Sequence, residues 1–348
     1  MKKILICGHF ANGAESFDGQ TIKTVNLYKE LLGKYGKENI IISDTYFIKK
    51  RPFKFFYNLK CNISKVDNVI ILPAQRGIKI IVPLLNLWNK KKRFKIHYVV
   101  IGAWLPDIAM NNKFLQKNLK KINFIYVETQ NTIKRLEDMG FDNLYQMNNF
   151  KKLVVSESKY KNSSKELRCC IFSRIEYLKG INDAIDVVNE INSESPKKIY
   201  LNLYGKIKDE YALEFQKRIE NNEYISYKGI VDSNKSVETI EDYNLLLFPT
   251  LYYTEGIPGT IIDSYFAGVP VLSSKWENFT EVIEENKTGL GYKFADKEEF
   301  KRILIDILND KYDLEQMSDN CKKRALDYLP DNSLNVLYKN LGDLGGNK

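Results

Sequence analysis

Two carboxylate residues stand eight positions apart in a segment suited to an oxygen-rich ligand. Glu255 falls on a predicted loop, and Asp263 falls about a turn and a half further on, in the helix that follows. Gly256 lets a ligand approach the backbone closely, and the free N–H groups at the start of the helix favour an anion. The segment therefore offers two carboxylates for hydroxyl groups beside a site for a phosphate.

Turn-forming residues predict where this helix begins and ends. Pro258 suits the first helical position, and Gly268 with Pro270 ends the helix. The apolar runs on either side, 245–248 and 269–272, are short enough to be buried strands. An ordinary strand–loop–helix connection with a solvated glutamate remains open on this pattern alone.

Arg174 and Lys179 form a second candidate feature between a predicted strand and a predicted helix. A guanidinium can bind a phosphate through two N–H groups, and an ammonium acts as a point charge. Together they can stabilise the charge on a diphosphate leaving group. Taken alone, the same spacing is also typical of an exposed charged surface.

The two features together resemble the motifs of the family-4 retaining glycosyltransferases of bacterial surface-polysaccharide assembly. Residues 255–264 (EGIPGTIIDS) and 267–271 (AGVPV) resemble the E-x7-E signature, with Asp for the second Glu and Ser for the following Ala. Residues 173–180 (SRIEYLKG) resemble the R-x4-K pattern. The resemblance is specific in the second half of the chain and mainly architectural in the first. It implies an α/β GT-B fold, with two Rossmann-like, doubly wound domains facing across a cleft.

The resemblance also implies a role for each matching residue. Arg174 and Lys179 stabilise the leaving diphosphate, and Glu255 orders the hydroxyls of the transferred sugar without forming a covalent intermediate. Asp263, one methylene shorter than the usual acid, takes the ribose hydroxyls. The other donor-binding residues are Gly256, Ile257, Pro258, Gly259, Thr260 and Gly205.

Short apolar runs that alternate with helical patterns predict a parallel sheet in each half of the chain. The predicted strands are 3–7, 40–43, 69–72, 96–101 and 124–127, then 168–173, 199–204, 224–228, 245–248 and 269–273. A helix is predicted over 20–35, with Ile22, Val25 and Leu31 on its apolar face. The predicted domains are an acceptor-binding domain at 1–152 and a nucleotide-sugar-binding domain at 153–325. The resemblance adds a final helix, 326–348, that crosses back to the first domain.

Composition favours a globular protein of two ordinary domains, at 348 residues with 44% hydrophobic content. No apolar run approaches the length of a membrane span, and residues 1–7 resemble a first strand more than a signal peptide. The five cysteines lack metal-binding spacing and indicate buried free thiols in a reducing cytoplasm.

Three residues of the first half are candidates for the acceptor side: His9, Gly19 and Trp104. The long loop after the first strand, 8–19, is predicted to border a site, because ligands bind beyond the carboxyl ends of parallel strands. A plain surface loop remains open as well. The related enzymes often carry a histidine where this chain has residues 101–106 (IGAWLP). Trp104 there suits either a sugar ring or core packing, whereas His97 is predicted to be structural.

Charge divides the chain unevenly, because residues 1–150 hold 25 Lys and Arg against 11 Asp and Glu, while 151–348 hold 28 against 33. The excess lies in 49–60 and 76–95, where cations stand beside aromatic residues. Such stretches suit an anionic membrane surface, at about 1 kcal/mol for each cation. A solvated helix face is equally typical of the pattern, and no nucleic-acid recognition module is present.

The resemblance implies a retaining hexosyltransferase that uses a nucleoside-diphosphate sugar. We expect its acceptor to be a glycan or a polyprenyl-linked saccharide in capsule, exopolysaccharide or lipopolysaccharide biosynthesis. We expect no cofactor and no metal, since the chain has two histidines and no DxD motif. We expect a cytoplasmic protein at the inner face of the cell membrane, with no nucleic-acid partner. Two alternatives stay open: a nucleotide-sugar epimerase of the same fold, and a non-catalytic basic protein that binds membrane or nucleic acid.

Overall fold

A computed structural model describes residues 3–13, 19–158, 160 and 166–342. Residue contacts divide the chain into two compact units. Unit 1 comprises the described residues of Met1–Phe150 and Pro330–Lys348, and unit 2 comprises those of Lys151–Leu329. Within the described ranges, no helix has the length and apolar character that a membrane span requires.

Unit 1 is built on a parallel six-stranded sheet in the order β2-β1-β3-β4-β5-β6. Its strands are β1 (Ile4–Gly8), β2 (Ile40–Asp44), β3 (Asn68–Ile71), β4 (Lys95–Val99), β5 (Phe124–Val127) and β6 (Leu144–Gln146). Its first helices are α1 (Gly19–Tyr35), α2 (Phe47–Lys50), α3 (Pro52–Ile63), α4 (Gln75–Trp88), α5 (Leu105–Met110), α6 (Lys113–Leu119) and α7 (Gln130–Glu137).

Both faces of this sheet are buried, which explains why its strands are continuous apolar runs. In β1, Ile4 and Ile6 enter one core, and Leu5 and Cys7 enter the core on the opposite face. Helices must therefore cover both sides, as in a doubly wound sheet.

The buried face of α1 differs from the predicted one. Leu31 is buried as expected, but Ile22 and Val25 are only half-buried, whereas Lys23 is buried. The prediction was wrong at these positions because it placed the buried face from the apolar residues alone. Lys23 enters the interior because Glu128, also buried, forms an ion pair with it.

Unit 2 contains a second parallel six-stranded sheet, in the order β12-β11-β10-β7-β8-β9. Its strands are β7 (Glu166–Phe172), β8 (Lys198–Tyr204), β9 (Ile225–Gly229), β10 (Leu245–Phe248), β11 (Val271–Ser274) and β12 (Gly289–Tyr292). Its helices are α8 (Ile181–Glu194), α9 (Ala212–Ile219), α10 (Ser236–Ile240), α11 (Gly259–Ala267), α12 (Phe279–Val282), α13 (Lys297–Leu308) and α14 (Leu314–Ala325).

The neighbouring cysteines of β7 show that this sheet is also buried on both faces. Cys169 enters the core beneath α8 and α13, and Cys170 enters the core on the other side. Burial raises the pKa of both thiols, so neither is a thiolate at neutral pH. All five cysteines of the chain are free, and Cys61 is the half-buried one.

The final helices belong to unit 1. They are α15 (Pro330–Ser333) and α16 (Asn335–Leu341). Leu334, Leu337 and Leu341 are buried in the same core as Ile4 and Leu27. The chain thus contributes to the first core from both of its ends.

Candidate functional site

An ion pair between Lys179 and Glu255 lies at the carboxyl edge of the unit 2 sheet. Both side chains are mostly buried, at 15% and 17% exposed. The Thr250 hydroxyl donates a hydrogen bond of 3.3 Å to the same carboxylate oxygen. The Asn278 side-chain amide donates to the Glu255 backbone carbonyl at 2.7 Å. The carboxylate is therefore held from several directions before any ligand binds.

Strand order brings this pair together across 76 positions of sequence. Because β7 and β10 are neighbours in the sheet, the connections that follow them meet at one edge. Leu251 donates a backbone hydrogen bond of 2.9 Å to Leu178, which ties the two connections together. Gly180 has φ +67°, and a Cβ there would lie 1.8 Å from the Pro249 carbonyl oxygen. Only glycine allows this approach.

Arg174 lies on the same connection but outside the Lys179–Glu255 pair. Its guanidinium is 57% exposed and lies 3.1 Å from Glu176, whose carboxylate is buried and also lies 3.4 Å from Lys208. Backbone hydrogen bonds to Lys206 and from Lys208 hold the intervening residue, Ile175. Arg174 thus presents an exposed cation from a fixed backbone.

Asp263 forms an ion pair that its sequence context did not indicate. Both of its carboxylate oxygens bind the Lys151 ammonium, at 2.5 and 2.6 Å. Burial raises the pKa of Asp263, and Lys151 and then Ser236 oppose that shift. The Lys151 backbone amide donates to the Tyr328 carbonyl at 3.0 Å. No sequence signal could have found Lys151, because it stands 112 positions from its partner in no recognisable motif.

The first turn of α11 begins one residue later than predicted. Pro258 has ψ 130° and is the residue before the helix, so the prediction of a first helical position was wrong by one residue. Gly256 and Ile257 are buried in the preceding loop. A Cβ at Gly259 would lie 3.3 Å from Cε of Lys151. The Thr260 hydroxyl oxygen is buried and has no hydrogen-bond partner among the described residues.

Gly205 directly follows β8 and lies beside the connection that follows β7. Its φ is +133°, and a Cβ there would lie 1.8 Å from the Ser173 carbonyl oxygen. Its own carbonyl accepts a hydrogen bond of 2.8 Å from the Tyr227 hydroxyl. The close approach of two backbones is thus a packing reason for glycine at this position.

The second half of the chain matches a known protein family. Residues 155–325 match the family described as Glycosyl transferases group 1. Over 207 residues the chain is 24% identical to the uncharacterized glycosyltransferase MJ1069 of Methanocaldococcus jannaschii. That alignment covers 58% of this chain and 48% of MJ1069, so it spans about half of that relative.

Two solved structures resemble the whole chain. Anabaena Alr3699/HepE in complex with UDP and glucose has a TM-score of 0.74 at 13% identity, covering 99% of this chain and 100% of that one. Sucrose-phosphate synthase from Thermosynechococcus elongatus has a TM-score of 0.78 at 13% identity, covering 98% and 99%. At this level of identity, the two matches show the fold of the chain. They confirm the predicted α/β GT-B fold, and the matched family segment includes Arg174, Lys179, Glu255 and Asp263.

In unit 1, the three acceptor candidates lie in different settings. His9 is half-buried just after β1, with its ring 6.2 Å from Tyr46. Gly19 is exposed as the first residue of α1, and residues 14–18 of the predicted loop lie outside the described residues. The Trp104 indole donates to the Ile101 carbonyl at 2.7 Å and packs on the core.

His97 is buried in β4, where its ring nitrogens pair with the Tyr126 hydroxyl and the Asn68 side chain at 3.0 Å each. Burial, with a smaller contribution from Lys95, lowers its pKa to about 3. His97 is therefore neutral at physiological pH. Among the described residues, no group of three or more His, Cys, Asp and Glu is arranged to hold a metal ion.

Sequence reasoning missed one further charged pair in unit 1. Lys23 binds Glu128 and also donates to the Val100 carbonyl at 3.3 Å. Val100 and Glu128 directly follow β4 and β5, so the pair lies at the carboxyl edge of this sheet.

Proposed function

We propose that the protein is a retaining glycosyltransferase that takes its sugar from a UDP-sugar and needs no metal ion. The observation that carries the proposal is the fixed Lys179–Glu255 pair at the carboxyl edge of β7 and β10, within the segment that matches the group 1 family. The UDP complexes of the structurally similar HepE protein support the choice of nucleotide.

In the proposed reaction, the bond between sugar C1 and the β-phosphate oxygen breaks, and its electron pair remains on the diphosphate. The acceptor hydroxyl attacks C1 from the face that the diphosphate leaves, and its proton passes to the departing phosphate oxygen. This course retains the anomeric configuration without an enzyme nucleophile.

Lys179 and Arg174 offset the charge that the diphosphate gains. The Lys179 ammonium has three N–H groups, so it can bind a phosphate oxygen while it stays near Glu255. The exposed Arg174 guanidinium can move from Glu176 to bind the diphosphate through two N–H groups. Because these donors are positioned before the bond breaks, they favour the transition state over the bound substrate.

Glu255 orients the sugar. A carboxylate accepts hydrogen bonds from sugar hydroxyls, and Lys179 together with Thr250 holds it in place. A hexose, with its several neighbouring hydroxyls, suits binding by this carboxylate.

For the acceptor we propose a glycan or polyprenyl-linked saccharide at the cytoplasmic face of an anionic membrane, as in capsule, exopolysaccharide or lipopolysaccharide assembly. Helix α3 supports this proposal because it exposes Phe53 and Tyr57, at 90% and 70%, on a segment rich in lysine. Aromatic side chains beside cations favour the interface of an anionic bilayer.

Thermal stabilisation by UDP, GDP, ADP, CMP and their sugar conjugates tests the donor site first. Because a ligand of the native state stabilises it by mass action, UDP should raise the Tm, and Arg174→Ala should reduce that rise. Product analysis then separates transfer to an acceptor, an epimerised donor and an unchanged donor, while NMR of the product reads the anomeric configuration. Failure of all the nucleotides to shift the Tm would refute the donor site, and an epimerised donor would identify an epimerase.

A further inference from the structure

Lys151 and Asp263 form a charged pair in which the lysine is the more exposed member. The Lys151 side chain is 14% exposed, and that of Asp263 is 4% exposed. Two N–H groups of the ammonium suffice for the two carboxylate oxygens, so a third N–H remains for another acceptor. A ligand at this surface therefore reaches an ammonium donor before it reaches the carboxylate.

The first turn of α11 adds further donors beside Lys151. The first amides of a helix, here those of Gly259 and Thr260, have no acceptor in a preceding turn. The next amide, that of Ile261, donates to the Pro258 carbonyl at 3.1 Å. The absence of a side chain at Gly259 leaves the space that the end of Lys151 occupies.

The Lys151 ammonium and the amides of Gly259 and Thr260 can donate hydrogen bonds but cannot accept them. They therefore suit an anionic oxygen better than a hydroxyl group. A lysine placed beside the positive end of a helix is unfavourable by itself, and Asp263 offsets that cost in the absence of ligand. A carboxylate buried as deeply as that of Asp263 would itself be costly without Lys151. Each residue thus accounts for the position of the other.

We infer that Lys151 binds the diphosphate of the donor, and that Asp263 is a positioning residue that holds the Lys151 ammonium at the first turn of α11. The inference rests on the proposed donor site and reverses the role expected for Asp263, which was to bind the ribose hydroxyls. Lys151 becomes a third cation of the site, beside Arg174 and Lys179.

Isothermal titration of the full chain with uridine, UMP and UDP tests Lys151. Lys151→Met should weaken UDP binding about tenfold or more, the effect of losing one hydrogen bond to a charged group, and should leave uridine binding within about twofold. The exposed neighbour provides the matched control, since Lys152→Met should bind UDP within about twofold of the wild type. Equal losses for uridine and UDP in Lys151→Met, or no loss for UDP, would overturn the inference.

Titration with UDP and 2′-deoxy-UDP tests Asp263. Asp263→Asn should lower the affinities for both ligands by a similar factor, because it loosens Lys151 and removes no contact with the ribose. Selective loss of the preference for UDP over 2′-deoxy-UDP would show that Asp263 reads the ribose and would refute the assignment.

Gly259→Ala provides a second variant if Lys151→Met does not fold. Its Cβ would stand 3.3 Å from Cε of Lys151, so the end of the lysine side chain must shift by a few tenths of an ångström, and UDP binding should weaken more than uridine binding. Unchanged UDP binding in this variant would count against the inference. A wild-type chain that binds no UDP would instead refute the proposed function itself, so the two failures are distinguishable.

Discussion

Glu255→Gln separates the charge of the Lys179–Glu255 pair from its shape. Glutamine keeps an oxygen for the Thr250 hydroxyl but leaves Lys179 without its counter-charge. Because both partners are mostly buried, the loss should cost about 3 kcal/mol, the lower end for a broken buried pair. For a unit of the size of Lys151–Leu329, that cost lowers the Tm by about 6–12 °C.

UDP should restore much of this stability, because its phosphates replace the missing negative charge beside Lys179. We therefore expect Glu255→Gln to bind UDP as tightly as the wild type or more tightly, while transfer falls about 100- to 1,000-fold. Lys179→Met should have the opposite effect on binding and lower the affinity for UDP about 10- to 150-fold.

Differential scanning fluorimetry with and without UDP, isothermal titration and a transfer assay measure these effects. Asn278→Ala is a matched control, since it removes the hydrogen bond to the Glu255 backbone but keeps both charges. If Glu255→Gln weakened UDP binding as much as Lys179→Met does, the phosphates of UDP would not replace the Glu255 carboxylate beside Lys179.

Three further predictions follow from single features. Gly180→Ala should lower the Tm of unit 2, because its Cβ would overlap the Pro249 carbonyl oxygen. Differential scanning fluorimetry measures this change, and a Tm equal to that of the wild type would contradict the observed turn. The raised pKa of Asp263 means that the folded state holds its proton to higher pH than the unfolded state does, so stability should fall as pH rises from the ordinary Asp range through the folded pKa. The Tm of Asp263→Asn should lack that pH-dependent component, and identical pH profiles of Tm for the variant and the wild type would refute it. Charge reversal at 90–93 should abolish both sedimentation with anionic liposomes and sugar transfer to a lipid-linked acceptor. Loss of transfer while liposome binding persists would count against membrane docking through this segment.

Local pattern was enough to predict most strands of both sheets and the α/β class. Runs such as Leu245–Phe248 are apolar throughout because both sheet faces are covered, and that signal needs no knowledge of the partner strands. The pattern failed for β6 and β12, which are three and four residues long and contain polar residues or glycine. It also failed for the inner face of α1, where Lys23 is buried with Glu128, which directly follows β5.

The α11 segment could be predicted from local residues, since the spacing of Glu255 and Asp263 and the glycine after the helix are properties of a loop and one helix. Which charges pair depends on the tertiary structure. Lys179 meets Glu255 because β7 and β10 are neighbours in the sheet, and Lys151 meets Asp263 across 112 residues. Hydrophobic periodicity specifies an element and its buried face, whereas the partner of a buried charge depends on strand order and on which distant backbone is anchored nearby.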